Sequence, residues 1–548
     1  MSKVFASTPT AFPVFNSAAK NSPSFTANVE SWGPVLKKFE DGLEWAAGEG
    51  PTRHIERHHI RGMLSARDRI SLILDDESPF LELLPFAGYG IAHSSACASL
   101  IAGVGTVHGV PVMIVANIPT IAGGSMNEIT VKKQQRASQI AIENEIPTVF
   151  LNQCAGANLP QQFQVFHPSG KNFRDITDRS DAGSPTCTIV FGSSTAGGAY
   201  QPGMSEFSIF VKQQAQVFLG GPPLVKMATG EVSSAEELGG ADMHTSVSGV
   251  SDALAEEEFD ACRMARNWVL SINRVPLSAV RGLDVIRSVR EPRFHPDELL
   301  GIVPTNVRQP LNMNEVVAHM VDDSRFEPFK PLYGPGMLCC WAHIHGQLVG
   351  IIANQSPVIF TNEARKSAQF IALNNASSTP IVFLHNVTGF MVGKKAEQEG
   401  IIKAGSLLID AVSRSAVPHF SIICGSSYGA GNYAMCGRSY APRFLFSWPN
   451  SRCSVMGPEQ LSGVMEIISR GASERSGQAV DEEKVKARSD SLRDRVENES
   501  MAWYTSAWCL DDGIIDPRDT RSVLGMCLEI TRGHDDKGNR RMRGVSRL

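Results

Sequence analysis

No stretch of this 548-residue sequence approaches the roughly 20 uncharged apolar residues that a bilayer-spanning helix needs. Nor are basic residues massed anywhere. The 51 Lys and Arg are interspersed with 56 Asp and Glu for a net charge of −5, which removes the electrostatic basis for nucleic-acid binding. C-x-x-C spacing is absent among 11 scattered cysteines, an odd number that suits reduced thiols in an intracellular compartment rather than a disulfide framework or zinc site. The adjacent Cys339 and Cys340 are expected in a strand. Four catalytic signatures are also missing: G-x-S-x-G, H-E-x-x-H, the Walker A loop, and G-x-G-x-x-G after a strand.

The N-terminus lacks acidic residues before Glu30 and arginine before Arg53. Its Ser, Thr, Ala, Asn and Pro content predicts an unstructured lead over residues 1–30. With only Lys3 and Lys20 as basic groups, it is a poor match to an Arg-rich transit peptide, so cytoplasm and mitochondrial matrix both remain open. The chain is too long for one usual hydrophobic core, which predicts at least two domains.

What is present is a repeat. PTVFLNQCAGA (147–157) and PIVFLHNVTGF (380–390) stand 233 apart (389 − 156 for their glycines), as do GSSTAGGAY (192–200) and GSSYGAGNY (425–433). HGVPVMIVAN (108–117) faces HGQLVGIIAN (345–354) at 237 (345 − 108). Each copy predicts a strand pair about a turn, then a helix (roughly 130–144 and 363–375), a short buried strand closed by glycines, and a second strand ending at the GSS segment. The pattern is that of a duplicated α/β domain with a buried sheet.

Glycine-rich strand-to-helix turns bring bare N–H groups to one point, where helix onset favours negative charge. Amide donors alone suit stabilisation of an oxyanion such as a thioester enolate. HIERHH (54–59) invites a metal, but Arg53, Arg57 and Arg61 crowd it, and no metal is expected. Lys132, Lys133 and Arg136 are either a phosphate-binding group or a solvated helix face. The charged segment 473–500 predicts an exposed helix.

TAGGAY (195–200), FLGGPPLVKMATGE (218–231), NVTGFMVG (386–393), GSSYGAGNYAMCGR (425–438) and DDGIIDPRDTR (511–521) resemble the carboxyltransferase (β) subunit of biotin-dependent acyl-CoA carboxylases. The similarity runs from about residue 35 to 530 and is greatest to the 3-methylcrotonyl-CoA and geranyl-CoA branch. The resemblance implies two tandem crotonase-like domains (31–290 for the acyl-CoA side, 291–548 for the biotin side) and a site completed across a dimer within a larger ring such as a hexamer. It implies that Ala155 and Gly156, then Ala430 and Gly431, stabilise the enolates of the acyl thioester and of biotin. Gly123, Gly124, Lys133, Arg136, Ala196, Gly197 and Gly198 are candidate substrate-binding residues. Gly389, Phe390, Val392, Gly429 and Tyr433 are candidates for biotin. A partner subunit carrying biotin and the biotin carboxylase is implied, since neither a Met-Lys-Met acceptor nor an ATP-grasp portion is found.

The sequence also departs from that pattern. QCAGA (153–157) replaces Asp-Ser-Gly-Gly-Ala, IPTIAGG (118–124) loses two charges, and Leu407 stands where Lys is usual. A Cβ at Ala155 is expected to strain any left-handed backbone there, and Cys154 at a helix-starting turn raises the prospect of a thiolate. A biotin-independent crotonase-type enzyme acting on a thioester, or a non-catalytic assembly subunit, are the rival readings.

Overall fold

A computed structural model describes residues 12–92, 94–272, 289–476 and 481–531. Two mixed sheets dominate. The first runs β1 (Leu81–Leu83), β2 (Leu100–Val107), β3 (Val110–Asn117), β4 (Thr148–Asn152), β5 (Thr186–Val190), β6 (Phe207–Val211) and β7 (Ala253–Ala255) in spatial order. The second runs β8 (Phe326–Pro328), β9 (Met337–Ile344), β10 (Gln347–Asn354), β11 (Ile381–Val387), β12 (His419–Tyr428) and β13 (Phe444–Ser447), with β14 (Arg452–Ser454) also on β12. In each, the first two pairings are antiparallel and the rest parallel.

Alternation at period two explains the layering. Ala102, Val104, Met113, Val115 and Phe150 pack with Val349, Ile351, Val382, Leu384 and Phe420 in one cluster shared by both sheets. The intervening residues face away: Ile101, Val112, Ile114 and Val149 join one outer core, and Cys339, Ile352, Ile381 and Phe383 join another. Cys339 and Cys340 are thus strand residues, one on each face.

The expected helices are α2 (Glu128–Glu143) and α5 (Thr361–Ala376); of the charged segment 473–500, residues Glu482–Ser500 form one helix, 473–476 end the helix Pro458–Ser476, and 477–480 lie outside the described residues. Both hairpins turn at His-Gly, with φ of 51° and 72° at His108 and Gly109 and 49° and 77° at His345 and Gly346. A carboxylate accepts the two turn amides each time: Asp75 at 2.8 Å from both, Asp322 at 3.1 and 2.8 Å. An arginine then holds each acid, Arg266 at 2.9 Å and Arg521 at 2.8 Å.

Part of the N-terminal expectation is corrected. Residues 1–11 lie outside the described residues, but 12–30 are packed: Val14 bridges Arg325, the Phe15 ring lies 5.7 Å from Phe326, and helix α1 (Phe25–Ala47) begins inside the supposed lead. From α1, Trp32 Nε1 donates to the Val303 carbonyl at 2.8 Å and Asn28 to that of Gly301 at 2.9 Å. Conversely, the amides of Leu84 and Gly88 donate to the carbonyls of Asp512 and Ala507, both at 2.9 Å. Each half therefore carries a segment seated on the other.

Candidate active site

The first glycine turn follows β4. Gln153 accepts at 3.2 Å from Arg69, whose guanidinium also grips Glu258 with two 2.8 Å bonds in a buried pair. Gln153 thus serves as a neutral acceptor for an arginine that already has its carboxylate. Ala155 is exposed and has no left-handed backbone; that conformation falls on Gly156, at φ +88°. The strain expected at Ala155 is absent.

The donor role expected of Ala155 is also corrected. Its N–H is given to the Gly123 carbonyl at 3.0 Å. Gly123 and Gly124 buttress this turn: a Cβ on Gly124 would come within 2.2 Å of the Gln153 carbonyl oxygen, and one on Gly123 within 3.2 Å of the Ala155 Cβ. The Gly156 amide faces the Cys154 sulfur at 3.4 Å. Burial pushes the Cys154 thiol up to about 11, so no thiolate forms near neutral pH.

Gly156 abuts the second turn, since its Cβ would lie 3.3 Å from the Thr195 carbonyl oxygen. There Ala196 is left-handed, at φ 51° and ψ −118°, and its amide donates to Phe218 at 3.2 Å. Helix α3 (Gln162–Asp181) lies alongside, and helix α4 (Gly197–Met204) starts here. The amides of Gly197 and Gly198 open α4 and have no partner inside it. These two are the available donors of the first half.

Lys133 and Arg136 are not a phosphate site. Lys133 is fully buried, its ammonium donating to the carbonyls of Leu84 at 3.0 Å and Cys97 at 3.3 Å and touching the Cys97 sulfur at 2.7 Å. Arg136 is 7% exposed and makes two bonds, 2.7 and 2.9 Å, to Asp512. Arg438 adds a third at 2.8 Å, and the two guanidiniums hold the buried Asp512 carboxyl far below the usual range. Their cationic charge is spent inside the protein. Lys132 sits outward, paired with Glu128 at 2.8 Å.

In the second half, β12 runs into helix α6 (Gly429–Ala434), so the amides of Gly429, Ala430 and Gly431 form its unpaired first turn. Gly429 has φ +54° and its Cβ would meet the Val455 carbonyl oxygen at 3.0 Å. A Cβ on Gly431 would strike Val387 at 2.6 Å, and Gly389, φ +145°, lies behind it. Phe390 packs against Gly405, and Leu407 joins the same core. Val392 (76% exposed) and Tyr433 (45%), whose ring lies 5.7 Å from Tyr440, face outward. A cavity of about 450 Å³ adjoins, touching Thr388, Tyr428 and Gly457.

Two carboxylates line that cavity and both are paired, Glu459 with Arg308 at 2.7 Å and Glu497 with Arg452 at 3.2 Å. Burial pushes His385 down to about 3, leaving it neutral beside Ser427 Oγ at 3.0 Å. His54 and His58 bond the carbonyls of Thr120 and Leu64, and no three His, Cys, Asp or Glu converge among the described residues. Two amide-lined turns stabilise negative charge on a carbonyl oxygen, which suits chemistry through enolates.

Sequence reasoning overlooked Ala196 as a strained residue and the Arg69–Glu258 pair behind Gln153. The 233-residue offset carried the first signal, because it places Ala196 opposite Gly429 (429 − 196).

Comparison with known proteins agrees with this chemistry. Residues 57–545 match the carboxyl transferase domain. The chain is 50% identical over 502 residues, covering 92% of it and 93% of the relative, to a probable biotin-dependent acyl-coenzyme A carboxylase beta2 subunit of Mycobacterium tuberculosis. It is 42% identical to the mitochondrial methylcrotonoyl-CoA carboxylase beta chain of Dictyostelium discoideum, over 93% of this chain and 87% of that one. The geranyl-CoA carboxylase beta subunit of P. aeruginosa superposes with a TM-score of 0.85 at 39% identity, covering 95% of this chain and 96% of that one. On its sequence, its two amide-lined turns and its sheet order, the chain belongs to the carboxyl transferase family.

Proposed function

We propose that this chain is the carboxyltransferase subunit of a biotin-dependent acyl-CoA carboxylase, using two crotonase-like domains that arose by duplication. The supporting observation is the pair of amide-lined turns, one per half, each opening a short helix whose first amides have no partner inside it. Residues 31–290 serve the acyl thioester and 291–548 serve biotin, with α1 and the C-terminal segment crossing between them.

Gly197 and Gly198 direct their amides at the thioester oxygen, and Ala430 and Gly431 direct theirs at biotin. The second site fits such a group, since the cradle at Gly429 is one that a Cβ would fill and an adjoining cavity gives it room. Biotin, carried on a partner subunit, supplies the carboxyl group. Phe390 and the Gly389 backbone form the wall behind the donors, and neutral His385 stays out of proton transfer.

Apolar side chains stand exposed beside both turns, Leu159, Phe163 and Phe166 in the first half and Met391, Val392 and Ile402 in the second. Such surface favours association, and a dimer pairing unlike halves covers it. Light scattering at working concentration is expected to give at least a dimer. The relatives include mitochondrial chains, and matrix or cytoplasm suits the function.

The deciding assay combines the protein with a purified biotinylated partner, ATP, bicarbonate and a panel of acyl-CoA thioesters. An ATP-dependent carboxylated product is expected. Its absence with every thioester overturns the reading, and thioester turnover with avidin present and ATP absent would establish a biotin-independent enzyme instead.

A further inference from the structure

A second cavity, about 40 Å³ in volume, lies beneath the first site, walled by Cys154, Gly197 and Gly198 at the carboxyl ends of β3 and β4. That volume holds about three water-sized groups. Five carboxamide side chains line it: Asn117, Gln134, Asn152, Asn172 and Gln201.

Two of them have framework duties. Asn117 Oδ1 accepts the Gln153 amide at 3.3 Å, and Asn354 does the same for the Asn386 amide at 3.0 Å in the second half, so this contact belongs to the shared scaffold. Asn152 donates to Ser194 Oγ at 3.0 Å and the Gly198 carbonyl at 3.1 Å. Asn172 and Gln201 are different. They are only 8% and 7% exposed, yet Asn172 Oδ1 and Gln201 Nε2 have no hydrogen-bond partner. The positions 233 further on are Gly405 and Ala434, so the second half has no counterpart (405 − 172; 434 − 201).

Buried unpaired amide atoms are costly, and their presence in a cavity beside an active site points to a ligand that completes them. The two atoms are one acceptor and one donor. A hydroxyl group suits both, donating to the Asn172 oxygen and accepting from the Gln201 nitrogen. No charged side chain lines the cavity, which disfavours a carboxylate there.

We propose that the acyl group taken by this chain is short and carries a neutral hydroxyl, received by Asn172 and Gln201. The assignment rests on the reading that the first half binds the acyl thioester. It sets this chain apart in substrate class from a site built for a wholly hydrocarbon acyl group, which leaves both amides unpaired.

The test compares 3-methylcrotonyl-CoA with 4-hydroxy-3-methylcrotonyl-CoA, first as binding to the full chain by titration calorimetry, then as kcat/KM with the biotin-carrying partner. The hydroxylated thioester is expected to bind at least tenfold more tightly, and the double change Asn172→Leu with Gln201→Leu to erase the difference. The wild-type pair alone decides the matter if the double variant does not fold. Equal binding, or preference for the hydrocarbon thioester, overturns the proposal. A hydroxyl preference without ATP-dependent carboxylation supports the pocket and removes the carboxylase reading. Carboxylation without a hydroxyl preference does the reverse, and failure to bind either thioester removes both.

Discussion

The two sites enter their short helices through a residue of positive φ, but a different residue in each. Gly429 takes φ +54° without a side chain, whereas Ala196, 233 positions earlier (429 − 196), takes φ +51° with a Cβ. A non-glycine residue there costs on the order of 1 to 3 kcal/mol and persists only where its surroundings enforce it. Ala196 is enforced by its bond to Phe218 and by Gly156 behind it. The second site is relaxed and generic; the first is strained, braced and surrounded by side chains peculiar to it. On the proposed function, selection of the acyl group belongs to the first half and the handling of biotin to the second.

The severest way to break the comparison is to uncouple the halves. Asp512→Ala leaves Arg136 and Arg438 facing a buried void and is expected to cost about 3 to 5 kcal/mol, seen as a lower urea midpoint. An unchanged midpoint would mean that the halves are held elsewhere.

Its neighbour Asp511 sharpens the picture through pH. Burial pushes its carboxyl up to about 6, so the folded protein retains a proton that the unfolded chain gives up. Its contribution is intact below the ordinary carboxylate range and is lost as pH rises toward 6, about 2 to 3 kcal/mol in all. Between pH 4.5 and 7 the stability of wild type relative to Asp511→Asn, read from urea unfolding, should fall by about 2 kcal/mol; parallel pH profiles would refute it.

Within the sites, Gly431→Ala drives a Cβ to 2.6 Å from Val387, while Gly198→Ala meets Cys154 at 3.0 Å. The first should lower kcat on the order of 100-fold by displacing the helix donors, and the second less. Equal, small losses would show that neither helix start holds an oxyanion.

Milder changes probe the first turn. Ala155→Gly alters a residue whose amide is already bonded and whose φ is ordinary, so kcat should move less than about tenfold. Reciprocal gain of carboxylation and loss of another activity would contradict that. Cys154→Ser, replacing a protonated buried thiol by a hydroxyl, should keep activity within about threefold. A collapse of rate with thioester binding intact would instead argue for covalent catalysis.

The sheets and their glycine turns were legible because the strands are apolar runs ending in glycine and the repeat gave each segment a second witness. Lys133 and Arg136 were not, since charged residues on an amphipathic helix look solvated until the distant groups that receive them are known. The Ala155 amide was misjudged for the same reason, its acceptor lying on the Gly123 loop. Composition predicted a loose N-terminus, yet two aromatic anchors, Phe12 beside His343 and Phe15 on Phe326, suffice to seat it. The amide cavity needed α3 and α4 brought together, which no local pattern announces.

The ion pair between Arg136 and Asp512 spans 376 residues of chain. At about 5 to 20 residues per second, a ribosome takes roughly 20 to 75 s to cover that distance. For that interval the emerging first half holds a guanidinium with no acid to meet it, and until the strands of the second sheet have followed, a sheet face with no partner. The nascent protein is thus obliged to wait, half assembled, for its own last tenth, and a chain terminated shortly before Asp512 would expose to the cell's quality control a first half that had never been closed.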